Sequence, residues 1–258
     1  MRGVVFLGDR ELALKDFPDP TPGLSEVVVA MKASGMCGSD LKHYRAVGSD
    51  PRRHVIAGHE PCGVVAAVGA GVSADFAPVS GRDILAVFGQ GPVGLSATML
   101  GRAMGARVIA VDVSAERLEL AKRLGAEAII NSSETDPVAA IHDLTNGEGA
   151  TATMDCTGVS DARVAAVRSA GTWGRVAFVG EGGTTAFDVS QHLLRRQLTI
   201  HASWTFSVTG QAECARFIVD RKVPLKNLVT HRFKLDQAEA AYRLFDTQTT
   251  GKAVLVFC

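Results

Sequence analysis

Four side chains near the start of the chain are of the types that bind metal ions or move protons. Cys37, Asp40, His59 and Glu60 supply a thiol, an imidazole and two carboxylates. Zinc sites in proteins are built from these three kinds of ligand. Taken singly, each residue is ordinary, because a lone cysteine is usually a small core residue. The residue types permit a metal site, but further features of the sequence are needed to predict one.

A glycine-rich segment farther along the chain has the spacing of a dinucleotide-binding loop. It follows the apolar run Ile84 to Phe88 and opens a helical run, which is the context that the G-x-G-x-x-G pattern requires. The first glycine permits a tight turn, the second leaves room for a pyrophosphate, and the third lets the helix pack closely on the strand. The phosphates are expected at the helix N-terminus, where N–H groups attract anions. The residues of the loop are Gly89, Gln90, Gly91, Pro92, Val93 and Gly94.

An acidic residue ends the next predicted strand, where a ribose-binding group is expected. Asp112 lies 18 residues after Gly94, and a carboxylate there accepts hydrogen bonds from the adenosine ribose and repels a 2′-phosphate. The sequence therefore favours NAD over NADP. Arg117, one helical turn further on, can stack on the adenine or bind a phosphate. The alternative interpretation is a glycine-rich turn beside a solvated aspartate, which the agreement of strand, glycines, helix and acid disfavours.

Short β-type runs alternate with helical runs from Arg82 onward. Such alternation, with continuous apolar strands, is typical of a parallel sheet covered by helices on both faces. The sequence therefore predicts an α/β fold with a doubly wound, parallel-sheet nucleotide-binding domain. The predicted strands are 84–88, 107–111, 128–130, 151–154, 175–179 and 198–202, and the predicted helices are 92–104, 115–124, 138–144 and 161–170.

The chain on either side of this domain has a different character. The first eighty residues contain many glycines and prolines, little helical periodicity, and strand candidates at 27–32 and 64–68. The C-terminal part has one amphipathic helix at about 236–245 and a strand at 253–257. We therefore expect a β-rich domain at 1–80, the nucleotide-binding domain at 81–204, and a C-terminal segment at 205–258 that returns to the first domain.

The composition excludes several classes of protein. Of the 258 residues, 47% are hydrophobic and 21% are charged, which is ordinary for a globular chain. Lysine plus arginine equals aspartate plus glutamate at 27 each, without a basic stripe, so neither a nucleic acid nor a membrane is expected as a partner. The five cysteines contain no C-x-x-C pair, which argues against disulfides. With no signal-peptide core at the start of the sequence, we expect a cytoplasmic location.

The metal-ligand types and the glycine loop, taken together, resemble a known family. The chain resembles the zinc-dependent medium-chain dehydrogenase/reductases, in particular their alcohol, polyol and threonine dehydrogenase branches, over nearly all of its length. The segments that carry the resemblance are Met36-Cys37-Gly38-Ser39-Asp40, Ala57-Gly58-His59-Glu60, the loop Gly89 to Gly94, Asp112, and Gly251-Lys252-Ala253-Val254-Leu255.

This resemblance implies one catalytic zinc ion. Its first two protein ligands are implied to be Cys37 and His59, with Glu60 as a third ligand or an exchangeable neighbour. Further polar residues are implied to orient the site and to pass the substrate proton outward. They are Asp40, Ser39 and His43, of which His43 sits one position later than the relay histidine often found in relatives.

The resemblance also implies NAD as the cofactor. Residues that follow the later strands of the nucleotide-binding domain are implied to line it, and a lysine near the C-terminus is implied to approach the pyrophosphate. The lining residues are Thr157, Gly158, Val179 and Gly180, and the lysine is Lys252.

The sequence departs from the family after the segment Gly71 to Val79. Relatives continue there with the rest of a β-rich catalytic domain and with a four-cysteine structural zinc lobe. Here Val79 runs directly into Ser80-Gly81-Arg82-Asp83 and the first strand of the nucleotide-binding domain. We therefore expect a truncated, mainly β catalytic domain without a structural zinc. A catalytic zinc needs only three protein ligands and water, so its site is not abolished by this loss.

The function expected from the resemblance is hydride transfer between a secondary alcohol or polyol and NAD, with zinc as Lewis acid and reversal as carbonyl reduction. Two alternatives stay open. The first is a non-catalytic NAD-binding relative, and the second is a zinc-independent reductase of the same superfamily. The expected partner is a small alcohol or carbonyl substrate, and assembly into a homo-oligomer is possible.

Overall fold

The computed structural model describes residues 1–20, 27–47, 55–68, 79–204, 208–247 and 251–257. The junction at 71–79, where the sequence departs from its family, lies almost entirely outside these residues. The chain divides into two compact units. The first unit combines Met1–Val72 with Val229–Cys258, and the second comprises Ser73–Leu228.

Twelve strands and seven α-helices make up most of the regular structure of the described residues. In chain order they are β1 (Arg2–Gly8), β2 (Glu11–Asp16), β3 (Val27–Gly35), α1 (Gly38–Tyr44), β4 (Glu60–Val68), β5 (Ile84–Phe88), α2 (Pro92–Ala103), β6 (Arg107–Asp112), α3 (Ala115–Arg123), β7 (Ala128–Asn131), α4 (Pro137–Leu144), β8 (Ala150–Asp155), α5 (Ser160–Ser169), β9 (Ala170–Phe178), β10 (Thr199–Ala202), α6 (Val208–Asp220), β11 (Val229–Lys234), α7 (Ala238–Asp246) and β12 (Lys252–Val256).

The second unit contains a six-stranded sheet in the order β10-β9-β8-β5-β6-β7. All five neighbouring pairs are parallel. Two halves, β5-β6-β7 and β8-β9-β10, extend in opposite directions from the central pair β5-β8, which is the topology of a doubly wound dinucleotide-binding fold. The predicted α/β fold class is therefore confirmed.

Helices cover both faces of this sheet because alternate residues of its buried strands point to opposite sides. Ala86 and Phe88 pack against Ile141 of α4 and Ala166 of α5. On the opposite face, Leu85 and Val87 belong to a second cluster, which Ala97 of α2 contacts. The continuous apolar strands thus have no solvent-facing side.

The boundary between the units near the C-terminus differs from the one expected from the sequence. The expected boundary lies at 204/205, whereas the structure places it at Leu228/Val229. Phe217 and Ile218 of α6 pack on the cluster that contains Leu95 of α2 and Leu118 of α3. Burial of these apolar side chains against α2 and α3 places α6 in the nucleotide-binding unit. Val79 and Ser80, which were expected in the first domain, also belong to the second unit.

The first unit is mainly β-structure. Its four-stranded sheet has the order β11-β12-β3-β4, and β1 and β2 form a separate antiparallel hairpin. One core cluster joins the two parts of the chain that make up this unit, since Phe6 and Tyr44 contact Tyr242 of α7. The rings of Phe6 and Tyr242 meet edge-to-face at 4.9 Å between centroids, an arrangement that stabilises aromatic pairs.

Asp83, just before β5, ties together three parts of the second unit. Its carboxylate accepts hydrogen bonds from Ser80 N–H at 2.8 Å and Thr151 Oγ1 at 2.9 Å, and it pairs with Arg175. Burial opposes ionisation of this carboxyl, but the hydrogen bonds from these groups hold its pKa below the ordinary value.

We expect Asp83→Asn to destabilise the protein by about 2 kcal/mol at pH 7, the usual effect of losing hydrogen bonds to a charged group. Because the folded-state pKa is lowered, the contribution is complete above the ordinary pKa near ~4 and is lost as the pH falls through the folded-state value. Urea unfolding between pH 7 and pH 3 measures the difference. The control is Asp161→Asn, which changes an exposed acid on α5. If the difference in unfolding free energy between Asp83→Asn and the unmodified protein stayed constant from pH 7 to pH 3, the stabilising role of the ionised Asp83 carboxylate would be contradicted.

Within the ranges given above, none of the helices combines the length and the apolar character needed to cross a membrane.

Candidate metal centre and dinucleotide loop

The three predicted metal ligands lie together in the first unit. Cys37 is the N-cap residue of α1, two residues after the end of β3, and Glu60 is the first residue of β4. The antiparallel register pairs Glu60 with Gly35, which brings the start of β4 beside the end of β3. One ligand atom from each of Cys37, His59 and Glu60 lies within 4.8 Å of the other two. Residues separated by more than twenty positions in the sequence are thus placed in one cluster.

Asp40 links the helix to the histidine of this cluster. Its side chain is buried, and its Oδ2 accepts a hydrogen bond from the Cys37 N–H at 2.9 Å. Its Oδ1 lies 3.2 Å from Nδ1 of His59. Burial raises the pKa of the Asp40 carboxyl, while the Cys37 N–H, His59 and Lys252 oppose this rise. With Nδ1 directed at a carboxylate, Nε2 is the nitrogen through which His59 would bind a metal.

Lys252 contacts the third member of the cluster. Its Nζ forms an ion pair with Glu60 Oε2 and donates to the carbonyl of Met36 at 3.1 Å. Burial lowers the pKa of Lys252 to about 8, against the opposing influence of Cys37 and Asp40. The prediction that Lys252 approaches a pyrophosphate stays a prediction.

Gly35 makes room for this ion pair. A Cβ built on Gly35 would lie 2.2 Å from Glu60 Oε2 and 2.6 Å from Cε of Lys252. Both contacts are far shorter than real Cβ atoms tolerate, so any larger residue would displace the two charged side chains. Gly35 therefore belongs to the site through its close approach to Glu60.

The two remaining residues of the predicted proton relay lie on α1. His43 is on the exposed side of this helix. Ser39 lies in the first turn, and its side chain is outside the described part of the structure. Their roles in proton transfer stay predictions.

The glycine loop in the second unit joins β5 to α2. Gly89 has a positive φ of 87°, which L-residues with side chains rarely adopt. A Cβ built on Gly94 would lie 1.7 Å from the carbonyl oxygen of Gly89, so this position admits only glycine. Among the described residues, none comes within 4 Å of a Cβ built on Gly91. Pro92 and Val93 occupy the first two positions of α2.

Asp112 is buried at the carboxyl end of β6 and contacts the glycine loop. Its Oδ2 accepts from the N–H of Gln90 at 2.5 Å, and its Oδ1 accepts from the N–H of Ser114 at 2.9 Å. A carboxylate has about four acceptor positions, so two hydrogen bonds leave capacity for ribose hydroxyls. Within the described chain, Nε of Arg117 is a buried donor that lacks a hydrogen-bond partner.

The four residues predicted to line the cofactor follow β8 and β9. Thr157 and Gly158 follow β8 after one intervening residue, and Val179 and Gly180 come directly after β9. The N–H groups of Val179 and Gly180 donate to the carbonyl oxygen of Asp155 at 3.0 and 2.9 Å. Because β8 and β9 are parallel neighbours, their carboxyl ends meet at one edge of the sheet, as expected for a dinucleotide-binding fold.

Several site residues escaped the sequence interpretation. Asp155 offered a detectable signal, because it ends an apolar strand just as Asp112 does. Gln90 was placed in the loop from the sequence, but its structural role was not foreseen: it is fully buried, donates to the Val87 carbonyl and accepts from Thr98, so it holds the glycine loop in place. Gly35 had no local signal, since its close neighbours Glu60 and Lys252 are distant in the sequence.

Both sites fit the groups that the sequence implies. A thiolate, an imidazole and a carboxylate within 4.8 Å of one another are a suitable donor set for zinc. At the loop, the open space beside Gly91 and the partnerless Nε of Arg117 within the described residues suit a bound dinucleotide.

Comparisons with known proteins agree with this fold. Residues 92–220 match the family described as zinc-binding dehydrogenase, and residues 23–80 match the alcohol dehydrogenase GroES-like domain. The zinc-type alcohol dehydrogenase-like protein YphC of Escherichia coli is 31% identical over 343 aligned residues, covering 97% of each chain. The chain belongs to the zinc-dependent medium-chain dehydrogenase/reductase family, and the resemblance stated from the sequence is confirmed.

Other similar proteins are named as dehydrogenases of particular substrates or of alcohols in general. The L-threonine 3-dehydrogenase of Pyrococcus horikoshii is 31% identical over 188 residues, which cover 69% of this chain and about half, 52%, of the relative. The sorbitol dehydrogenase of Ovis aries is 25% identical over 341 residues and covers 99% of this chain and 96% of its own. An Escherichia coli alcohol dehydrogenase solved as a complex with NADH has a TM-score of 0.82 and 22% identity, covers 100% of this chain and 99% of its own, and thus shares the fold.

Proposed function

We propose that this chain is an NAD-dependent, zinc-type dehydrogenase that interconverts a secondary alcohol or polyol and the corresponding carbonyl compound. The observation that carries the proposal is the cluster of Cys37, His59 and Glu60, whose ligand atoms lie within 4.8 Å of one another. A zinc-independent reductase would not need these three groups together. Family membership and the names of the threonine and sorbitol dehydrogenase relatives support the substrate class.

The residues of the first unit would prepare the metal centre in defined ways. Asp40 would hold the imidazole of His59 through Nδ1, which fixes the tautomer that presents Nε2 to a metal. Lys252 would neutralise Glu60 whenever that carboxylate is not a ligand. Bound zinc would supply a Lewis acid that lowers the pKa of the substrate hydroxyl. Ser39 would accept the proton released at the substrate oxygen and pass it outward, with His43 as an outer group.

The residues of the second unit would bind the dinucleotide. The N–H groups of Gly91 to Gly94, at the start of α2, would face the pyrophosphate. Asp112 would accept from ribose hydroxyls, which favours NAD over NADP, and Arg117 would contact the adenosine part. Bound NAD would supply the hydride acceptor.

We also propose that the catalytic domain is shortened inside the chain. The alignment with YphC spans 343 positions against 258 residues here, so at least 85 positions carry no residue of this chain. This length difference supports the missing internal segment and, with it, the absence of a structural zinc lobe. His59 is 55% exposed, as would follow if the first unit had lost part of its covering.

The homo-oligomer is a further proposal. β10 is an edge strand of the six-stranded sheet, and all four of its residues are exposed. Such an edge is a usual place for a second chain to pair. Mass measurement in solution tests this proposal.

The test of function is NADH formation by the purified protein with a panel of secondary alcohols and polyols. We expect turnover that a chelator abolishes and added zinc restores, together with about one zinc ion per chain by elemental analysis. NADH binding without turnover on any substrate would favour the non-catalytic relative. Turnover that persists without metal would favour the zinc-independent reductase. Either result would overturn the zinc mechanism.

A further inference from the structure

The carboxyl end of β8 carries a buried ion pair that the proposed mechanism does not use. The side chain of Asp155 is completely buried, and its Oδ2 accepts from Nε of Arg163 at 3.1 Å. Arg163 lies on α5 and exposes only 14% of its side chain. Desolvation of two charges costs free energy that their attraction often fails to recover. The pair is therefore better explained by the groups that it holds in place than by a gain in stability.

Asp155 contacts all four residues that are proposed to line the cofactor after β8 and β9. Its backbone carbonyl accepts from the N–H groups of Val179 and Gly180, at 3.0 and 2.9 Å. Its carboxylate accepts from the N–H groups of Thr157 and Gly158, at 2.9 and 3.2 Å. One residue therefore anchors both segments.

Arg163 completes this connection from the other side. Its guanidinium pairs with Asp155, donates to the carbonyl of Gly180, and donates to the carbonyl of Gly183 at 3.3 Å. It also lies over the ring of Phe178 at 5.8 Å from the centroid, within cation–π distance. The planar fork of arginine can make these contacts together, whereas the single ammonium of lysine cannot.

The two segments approach each other so closely that small displacements would matter. A Cβ on Gly158 would lie 2.0 Å from the carbonyl oxygen of Glu181, and one on Gly180 would lie 2.2 Å from the N–H nitrogen of Gly158. Backbone therefore meets backbone without intervening side chains. A residue that fixes the spacing of these two segments therefore also fixes the shape of the cofactor site at this end of the sheet.

We infer that Arg163 is a positioning residue for the nicotinamide half of the cofactor site, acting through Asp155 and the segments 156–158 and 179–183. The inference rests on the proposed NAD-dependent function. A doubly wound sheet binds one nucleotide on each half of its strand order. The glycine loop and Asp112 belong to the half β5-β6-β7, whereas Arg163 acts on the half β8-β9-β10.

The test compares Arg163→Met and Arg163→Lys with Arg168→Met, which removes an exposed cation from the same helix. For Arg163→Met we expect the dissociation constant of NADH to rise about tenfold or more and that of 5′-AMP to change less than about twofold, since AMP needs only the first half of the sheet. Arg163→Lys should recover part of the loss, and Arg168→Met should match the unmodified protein.

Amide hydrogen exchange of the cofactor-free protein supplies a readout that does not depend on NAD. Arg163→Met should speed exchange at Thr157, Gly158, Val179 and Gly180, whose N–H groups donate to Asp155. If Arg163→Met does not fold, Arg163→Lys carries the same comparison at smaller amplitude.

The outcomes separate the inference from the proposed function. Unchanged exchange, an equal loss of NADH and AMP binding, or full recovery with lysine would overturn the inference. Faster exchange in the variant, combined with no NADH binding by the unmodified protein, would overturn the proposed function and the cofactor part of the inference with it.

Discussion

The Cys37→Ser variant is expected to lose its zinc and to lower kcat/KM by about a thousandfold or more. A Lewis acid stabilises the transition state by several kcal/mol, and each ~1.4 kcal/mol corresponds to a factor of ten in rate. Serine keeps the size of the side chain but replaces a thiolate with a hydroxyl that is a poor zinc ligand. Elemental analysis measures the zinc content, and the visible spectrum of the cobalt-substituted protein reports the thiolate ligand without reference to activity.

The control for this variant is Cys214→Ser, which makes the same chemical change at an exposed cysteine on α6. It should retain zinc and turnover. A Cys37→Ser protein that keeps one zinc ion and normal turnover would show that Cys37 is not a ligand.

The Asp40→Asn variant tests whether Asp40 supports His59, and it should weaken zinc affinity by about ten- to a hundredfold.

Two glycine variants of the dinucleotide loop are expected to separate binding from folding. In Gly91→Ala the new Cβ meets none of the described residues within 4 Å, so the thermal midpoint should hardly change. The same Cβ would occupy the space proposed for the pyrophosphate, and the dissociation constant of NADH should rise about a hundredfold. Fluorescence titration with NADH and thermal unfolding of the apo protein measure the two effects.

Gly94→Ala is the matched comparison within the same loop. Its Cβ would collide with the backbone of Gly89 at 1.7 Å, so α2 must move away from β5. We expect a loss of stability of about 2 kcal/mol or more, typical of overpacking, together with weaker NADH binding. Normal NADH affinity in Gly91→Ala would argue against a pyrophosphate beside this residue, whatever the stability of Gly94→Ala.

The elements of the second unit from β5 to β10 were well predicted, for a physical reason, whereas α6 (Val208–Asp220) was missed. Its strands are buried on both faces and read as continuous apolar runs, and the helices between them show their own periodicity. The run Ile84 to Phe88 coincides with β5, and most other predicted boundaries agree with the structure within about two residues. The start of β9 is an exception. The strand begins at Ala170 and not at the predicted residue 175, because the glycines between these positions give no strand signal.

The first unit was less predictable. The strands β1, β2 and β11 were missed. No residue of β2 or β11 is fully buried, so their apolar patterns are weak, whereas β1 has four consecutive buried residues and was still not assigned. The helix α1 was also missed; it has seven residues and depends on Asp40 for its N-terminal hydrogen bond to Cys37. Local sequence alone gives little signal for a helix of this length.

The sequence by itself determined the class of this protein, since the glycine spacing, the acid at Asp112 and the ligand types of Cys37, His59 and Glu60 are local features that need no coordinates to be read. Only the tertiary structure decided which charged side chains pair with one another. It placed Lys252 on Glu60, Asp40 on His59, and Arg163 on Asp155. These pairs join residues whose separation in the sequence ranges from 8 to 192 positions. Such contacts depend on strand register and helix packing, which the pattern of single residues along the chain does not specify.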